Sequence, residues 1–347
     1  MKIKIDLRII VLSVFFISIA GVFSSCDDWT LPESLEIEKP SVETGNDALY
    51  QQYLKNLRDY KASYHQLLIG WFDNSNKTYV SRGMHLSSLP DKVDIVSLME
   101  PDNLTNAELD EIASLKNDKG TRVIYTIDYD AIARSIDTEI TAAEDALNEG
   151  ESVVVPDFFD RLEQELDIRF ALFAKYGYDG LCLGYMGFSL QFPTVADTER
   201  LTRVQDMLFQ RLNNVNAKLL LFAGLPENII DRSRLEQFNY IVLQTQSALD
   251  MSQIDVIAAA SLQTGVPADR IIVSAYPPSL DPTDTKTGVF ADGSNSIVGT
   301  AKWLKTPGAF TKEGLAVYRI NDDYYNSASD YKYTREAIEI MNPSPKK

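Results

Sequence analysis

Eight short runs rich in β-branched and aromatic residues recur along the chain, at 66–72, 93–99, 122–128, 180–186, 218–223, 239–245, 270–276 and 314–320. Most are apolar on consecutive positions rather than on alternate ones. That pattern suits strands covered on both faces, as in a parallel sheet, and not strands with one wet face. Stretches patterned for helices lie between them. The segment 105–116 opens with Thr105 followed three residues later by Glu108, a capping-box arrangement. The segment 157–176 aligns Phe159, Leu162, Leu166, Phe170 and Phe173 on one face and ends at Gly177, a residue suited to a C-cap. Segments 197–214, 250–265 and 330–341 read similarly, and 48–64 reads as a leading helix. Eight strands alternating with helices over about 280 residues predict an α/β fold, a closed (β/α)8 TIM barrel. An open doubly wound sheet is the competing arrangement; the Gly-rich phosphate fingerprint that would favour it is absent.

Three connections stand out. The longest, 129–156, carries an acidic helical patch at 141–149 and is expected as an insertion at the ligand face after strand three. The polar stretches 74–91 and 277–296 are expected on the same face, where long loops are usually functional or mobile.

The first 25 residues read differently from the rest. Lys2, Lys4 and Arg8 form a basic start, and an apolar run from Ile9 to Phe23 follows. This is the pattern of an export signal. It ends in Phe23, Ser24, Ser25 and Cys26, which resembles a bacterial lipobox. The resemblance implies cleavage before Cys26 and lipidation of its thiol, hence an outer-membrane lipoprotein. Asp27 and Asp28 resemble the acidic surface-export tag of Bacteroidota lipoproteins. An ordinary cleaved signal or a transmembrane anchor is the alternative, although the apolar run is short for a spanning helix. Residues 26–47 are polar, contain Pro32 and Pro40, and read as a flexible tether. The domain then occupies 48–343.

Charge and rare residues narrow the partners. The chain has 33 basic and 50 acidic residues, a formal charge of -17. Such a surface repels phosphate backbones, so nucleic acid is not an expected partner. With two Cys and two His in all, no zinc site and no disulfide framework are expected, and no cofactor is implied.

In a barrel of this kind, chemistry sits at the C-terminal ends of the strands. The residues expected there are Trp71, Asp73, Met99, Glu100, Asp128, Tyr129, Tyr185, Met186, Gln244, Gln246, Tyr276, Tyr318 and the turn that begins at Asn321. Aromatic faces stack on the C–H faces of sugars, and amides and carboxylates hydrogen-bond hydroxyls. The mixture fits a carbohydrate cleft. Several of these residues have a plainer reading: Tyr185 is either a sugar platform or packing, Asn321 either a ligand clamp or a solvated turn, Cys182 core filling, and Asp179 the residue that sets a turn.

The eight-strand pattern, with Tyr178-Asp-Gly-Leu-Cys-Leu-Gly-Tyr-Met186 as strand four, resembles glycoside hydrolase family 18, the chitinases and endo-β-N-acetylglucosaminidases. That family's fourth strand reads Asp-Gly-x-Asp-x-Asp-x-Glu. Asp179 and Gly180 match its start; Cys182, Gly184 and Met186 stand where two Asp and the Glu are expected. In the family the Glu protonates the leaving oxygen, the Asp two residues earlier orients the substrate acetamide, and the acetamide carbonyl attacks the anomeric carbon. The resemblance therefore implies a barrel that keeps a glycan cleft and lacks the proton donor. The expected partners are N-acetylglucosamine-containing glycans, beside an outer-membrane importer. The alternative is an active hydrolase whose acid has moved to Asp128 or Glu100. A purely structural envelope protein is the third possibility.

Overall fold

The computed structural model describes residues 47–326 and 328–343. The export signal, Cys26 and the tether up to residue 46 lie outside the described residues. Among the described residues no helix is long and apolar enough to cross a membrane.

The eight apolar runs are all strands: β1 Leu67–Phe72, β2 Ile95–Leu98, β3 Arg122–Asp128, β4 Gly180–Tyr185, β5 Leu219–Gly224, β6 Tyr240–Leu243, β7 Ile271–Ala275 and β8 Lys312–Val317. Each pairs in parallel with its neighbour in chain order, and β8 returns to β1 through Leu67↔Gly314 to Gly70↔Val317. The sheet is a closed barrel, so the doubly wound alternative does not apply. Strand side chains alternate between two environments. Ile69, Ile95, Ile124, Cys182, Leu221, Val242, Ile272 and Ala316 fill the barrel interior. The other set, including Leu68, Val96, Tyr125, Leu183 and Phe222, packs outward with the apolar faces of the helices. Both faces are dry, which is why the runs read as continuously apolar. Each fully buried aliphatic side chain contributes roughly 1.5–3 kcal/mol of transfer free energy.

The helices are α1 Asp47–Ala62, α2 Asn106–Asn117, α3 Tyr129–Asn148, α4 Phe158–Tyr176, α5 Val195–Val215, α6 Met251–Ser261, α7 Ser296–Leu304 and α8 Lys332–Met341. From Gln52 onward the chain forms one unit. The caps match the local chemistry. Thr105 and Glu108 close a reciprocal capping box on α2, and Gly177 ends α4 in the left-handed conformation at φ 62°.

Two elements differ from expectation. The connection 129–156 is mostly helix, because Asp128 caps α3 by accepting the Ala131 N–H at 3.0 Å and Ile132 and Ile136 bury one face. Ion pairs from Arg161 to Glu139 at 3.0 Å and from Arg200 to Asp137 at 3.6 Å hold α3 against the first turns of α4 and α5. Helix α7, inside a region without a clear helical period, is buried on nearly every side. A helix enclosed all round carries no polar face to set a period.

Candidate functional site

Residues from the ends of all eight strands enclose a cavity of about 290 Å³ at the C-terminal mouth of the barrel. Its lining joins Trp71, Tyr276, Tyr318 and Gln244 with Met99, Thr126, Asp128, Asp130, Gly184 and Met186. A neighbouring cavity of about 330 Å³ is lined by Gln246, Lys286 and Thr287 and shares Tyr276 with the first.

β4 sends Cys182 into the sealed interior and opens Gly184 and Met186 to the cavity. Burial pushes the Cys182 thiol up to about 12, against a hydrogen bond with Thr126 that lowers it. The thiol is therefore neutral core filling. Past the strand, the backbone of Met186 is held on both sides. Asp130 Oδ2 accepts its N–H at 2.6 Å, Asp130 Oδ1 accepts the Gly187 N–H at 3.0 Å, and Asn228 Nδ2 donates to the Met186 carbonyl at 2.6 Å. Met186 as a whole is left 40% exposed.

The alternation that turns residues 184 and 186 inward turns residue 185 outward. Tyr185 is 1% exposed, lies against Tyr129 at 5.3 Å between ring centroids, and accepts a hydrogen bond from Gln205 Nε2 of α5 at 2.9 Å. Of the two readings of Tyr185, packing fits the geometry: the residue is among those that line the cavity, but it is almost wholly buried and its ring lies between barrel and helices.

The opposite wall is built from side chains. Trp71 Nε1 donates to Thr126 Oγ1 at 2.8 Å, and with only 4% of the residue exposed the ring forms part of the cavity floor. Tyr318 sits between Trp71 and Tyr276, with centroids 4.7 and 5.7 Å away. Gln244 Nε2 donates to the Tyr318 hydroxyl at 3.0 Å, and Gln246 Nε2 donates to Gln244 Oε1 at 2.8 Å. Burial raises the Tyr318 phenol well above its ordinary range, so it keeps its proton.

Other expected site residues lie elsewhere. Glu100 is exposed and does not line the cavity; its backbone is tied to Asn74 on both sides, at 2.8 and 2.9 Å. Asn321 is buried and outside the cavity lining; its amide spans the end of β1, accepting the Asp73 N–H at 3.0 Å. Asp73 faces Arg319 at 3.1 Å and accepts the Ser75 N–H at 3.0 Å. Burial works to raise its carboxyl, but these partners outweigh burial and hold it below the usual range. Asp179 does hold the entry of β4, accepting the Val123 N–H at 2.8 Å. Of the two carboxylates considered for a relocated acid, Asp128 alone lines the cavity.

Thr126, Asp130 and Asn228 were not anticipated. Thr126 lies two residues before Asp128 on the same face of β3, so strand parity announces it. Asp130 follows from the helical period of Ile132, Ile136 and Ile140, since it occupies that helix's first turn. Asn228 has no local signal. Among the described residues no group of His, Cys, Asp and Glu could hold a metal ion.

The description "Glycoside hydrolase family 18, BT1044-like" matches residues 30–340. No curated protein matches the chain by sequence. Among solved structures, a selenomethionine form of BT1044 with a Glu-to-Gln substitution is 16% identical with a TM-score of 0.60, covering 87% of this chain and 96% of that one. The apo endo-β-N-acetylglucosaminidase of Cordyceps militaris is 18% identical with a TM-score of 0.57, covering 84% and 96%. A doubly substituted form of that enzyme in complex with fucosyl-N-acetylglucosamine-Asn is 19% identical with a TM-score of 0.55, covering 84% and 95%. At these identities the structures attest the shared barrel, while the match over nearly the whole chain carries the assignment: this chain belongs to glycoside hydrolase family 18, in its BT1044-like group.

Proposed function

We propose that this protein binds glycans in the barrel mouth and does not hydrolyse them. The observation that carries this reading is the exit of β4. Met186 stands over the cavity with both backbone groups tied and a side chain that has no proton to give. In this reading Met186 occupies the position of the family's acid and Gly184 that of its acetamide-orienting Asp. General acid assistance alone is worth roughly 10²- to 10⁴-fold, and acetamide positioning adds to it, so turnover by the family's route is negligible.

What remains suits a neutral sugar: the half-buried Tyr276 ring for stacking and the Gln244 and Tyr318 groups for hydrogen bonds, over a floor that includes the buried Trp71. N-acetylglucosamine-containing glycans are the ligand class that family membership favours. A single sugar site of this size binds weakly, and the second cavity beyond Tyr276 offers room for another unit. The leader and Cys26 support a lipid-anchored protein on the outer face of the outer membrane, holding glycans beside an importer.

Titration with N-glycans, chitooligosaccharides and mucin glycans is expected to yield saturable binding to at least one, with no reducing sugar released. Absence of binding to all three would sink the proposal. The alternative of a relocated acid keeps one candidate, Asp128, because it lines the cavity. Turnover abolished by Asp128→Asn would establish that alternative.

A further inference from the structure

The N-terminal end of the barrel, opposite the mouth, holds a buried pair of titratable groups. His65 lies in the connection between α1 and β1, and Asp94 immediately precedes β2. Their side chains are 5% and 2% exposed, and His65 Nε2 stands 2.9 Å from Asp94 Oδ1. The other ring nitrogen, Nδ1, stands 2.7 Å from the Ser63 carbonyl oxygen. Asp94 Oδ2 accepts the Leu68 N–H at 2.9 Å, so one carboxylate fastens both the connection and the first residues of β1.

A carbonyl and a carboxylate only accept hydrogen bonds, and each ring nitrogen faces one of them. A neutral imidazole has one N–H to give, whereas the imidazolium has two. Both contacts are therefore hydrogen bonds only while the pair holds the extra proton. Without it, one contact sets lone pair against lone pair where water scarcely reaches, and an acceptor is left unmatched.

The surroundings leave Asp94 as the acid that faces His65. Tyr60 of α1 lies against the imidazole at 4.3 Å between ring centroids, and Lys61 of α1 donates to Thr121 Oγ1 at 2.5 Å. Arg122 at the start of β3 and Tyr240 at the start of β6 are further charged and titratable neighbours of the pair. Asp91 and Glu339 are matched elsewhere, by Lys119 at 2.8 Å and by Lys92 at 3.0 Å. Burial works to lower the His65 pKa and Arg122 adds to that, but Asp94 and the Ser63 carbonyl outweigh both and hold it above its ordinary value.

We propose that His65 is a proton-operated clasp: as an imidazolium it fastens the α1–β1 connection to Asp94, and loss of its proton frees that connection while the barrel mouth keeps its structure. Arg58, which donates to the Asp118 carbonyl at 2.6 Å, and Lys61 still hold α1, so the opening is local. The clasp is independent of the glycan reading of the mouth and is tested without a ligand. A raised pKa contributes stability in full below the unfolded value of about 6.5, and that contribution is lost as pH rises through the folded value. Lys61, lowered to about 8 by burial, acts in the opposite sense, favouring the fold as pH rises above that value.

The chain has two histidines, so nitrogen NMR of the full chain labelled at histidine resolves His65, with His85→Asn assigning the two. At about pH 7, where an unperturbed imidazole is mostly neutral, both His65 nitrogens are expected to carry protons, with a titration midpoint above about 6.5. Hydrogen exchange reads the opening at the amides of Gln66 and Leu68, which bond Asn342 Oδ1 at 3.1 Å and Asp94 Oδ2 at 2.9 Å. After correction for intrinsic exchange, their protection is expected to fall by about tenfold or more between about pH 6 and pH 9, the worth of one hydrogen bond to a charged group. The amides of β8 are expected to show no such fall. His65→Gln cannot titrate and carries the same Lys61, and its protection is expected to lack the drop. A midpoint at or below about 6.5 overturns the proposal, and so does protection that follows the same pH course in the native protein and a folded His65→Gln. If His65→Gln does not fold, the midpoint and the pH course of the native protein decide.

Discussion

At the exit of β4 the chain is positioned by its backbone: Asp130 and Asn228 grip the amides and carbonyl of Met186 and Gly187, and Gly184 and Gly224 let neighbouring strands close in. Across the cavity, at the ends of β6, β7 and β8, the order comes from side chains that bond one another, Ser274 to Gln246 to Gln244 to Tyr318. The first region is well supported and chemically quiet. The second spends side-chain chemistry on the wall and leaves one donor free. The two walls of this barrel mouth are therefore ordered by different means, one through its backbone and the other through its side chains.

The sharpest way to break this contrast is to put chemistry back on the quiet side. Met186→Glu alone supplies a proton donor without an acetamide clamp, and hydrolysis of an N-acetylglucosamine-linked substrate is expected to stay at background. Adding Gly184→Asp is expected to raise turnover over that single variant by about 10²-fold or more. A Cβ at residue 184 would sit 3.3 Å from both Asp128 Cα and Thr126 Cγ2, so β3 must yield by a few tenths of an ångström. A reducing-sugar assay reads the outcome; equal rates for the two variants would mean that position 184 is not the missing partner.

Backbone support makes its own prediction. Gly224 has φ +150°, and a Cβ there would overlap the carbonyl of Tyr185. Gly224→Ala is expected to cost about 3 kcal/mol or more in denaturant unfolding. Asp130→Ala removes two charge-assisted acceptors from partly exposed amides, and about 2 kcal/mol is expected. Faster hydrogen exchange at Met186 and Gly187, without change at the β8 end, would localise that loss.

The smallest effect concerns the loop after β1. Glu108 accepts from Lys77 at 2.7 Å and from Asn74 at 2.8 Å. Burial works to raise its carboxyl, yet these hydrogen bonds together with the Thr105 cap outweigh it and the net shift is downward. A depressed pKa stabilises the fold above the unfolded-state value and loses that contribution as pH falls through the folded one. The stability difference between the native protein and Glu108→Gln is therefore expected to shrink as pH drops below about 4. A difference that is flat across pH 6 to 3 would contradict the sign.

Much of this was legible in the chain. The strand set, the caps at Thr105 and Gly177, and the closed barrel follow from local patterns that tertiary contacts reinforce. Tyr185 was legible in principle, since one inward residue on a strand sets the parity of all the rest, but its aromatic character suggested a ligand before parity was applied. Helix α3 was obscured because its first residues doubled as a strand end. Asn321 and Glu100 have side chains suited to ligands, and nothing in their neighbourhood along the chain reveals that the backbone at the end of β1 claims the Asn321 amide or that Glu100 falls outside the cavity lining.

What the amino-acid sequence determined by itself is the architecture and the absence of a carboxylate at positions 182, 184 and 186 of strand four. Periodicity and capping are local properties, and a thioether or a missing side chain is inert in any environment. What only the tertiary structure decided is the polarity of the opposite wall. The donor at Tyr318 is set by residues 74 and 72 positions away along the chain, and a hydroxyl or amide is donor or acceptor according to its partners.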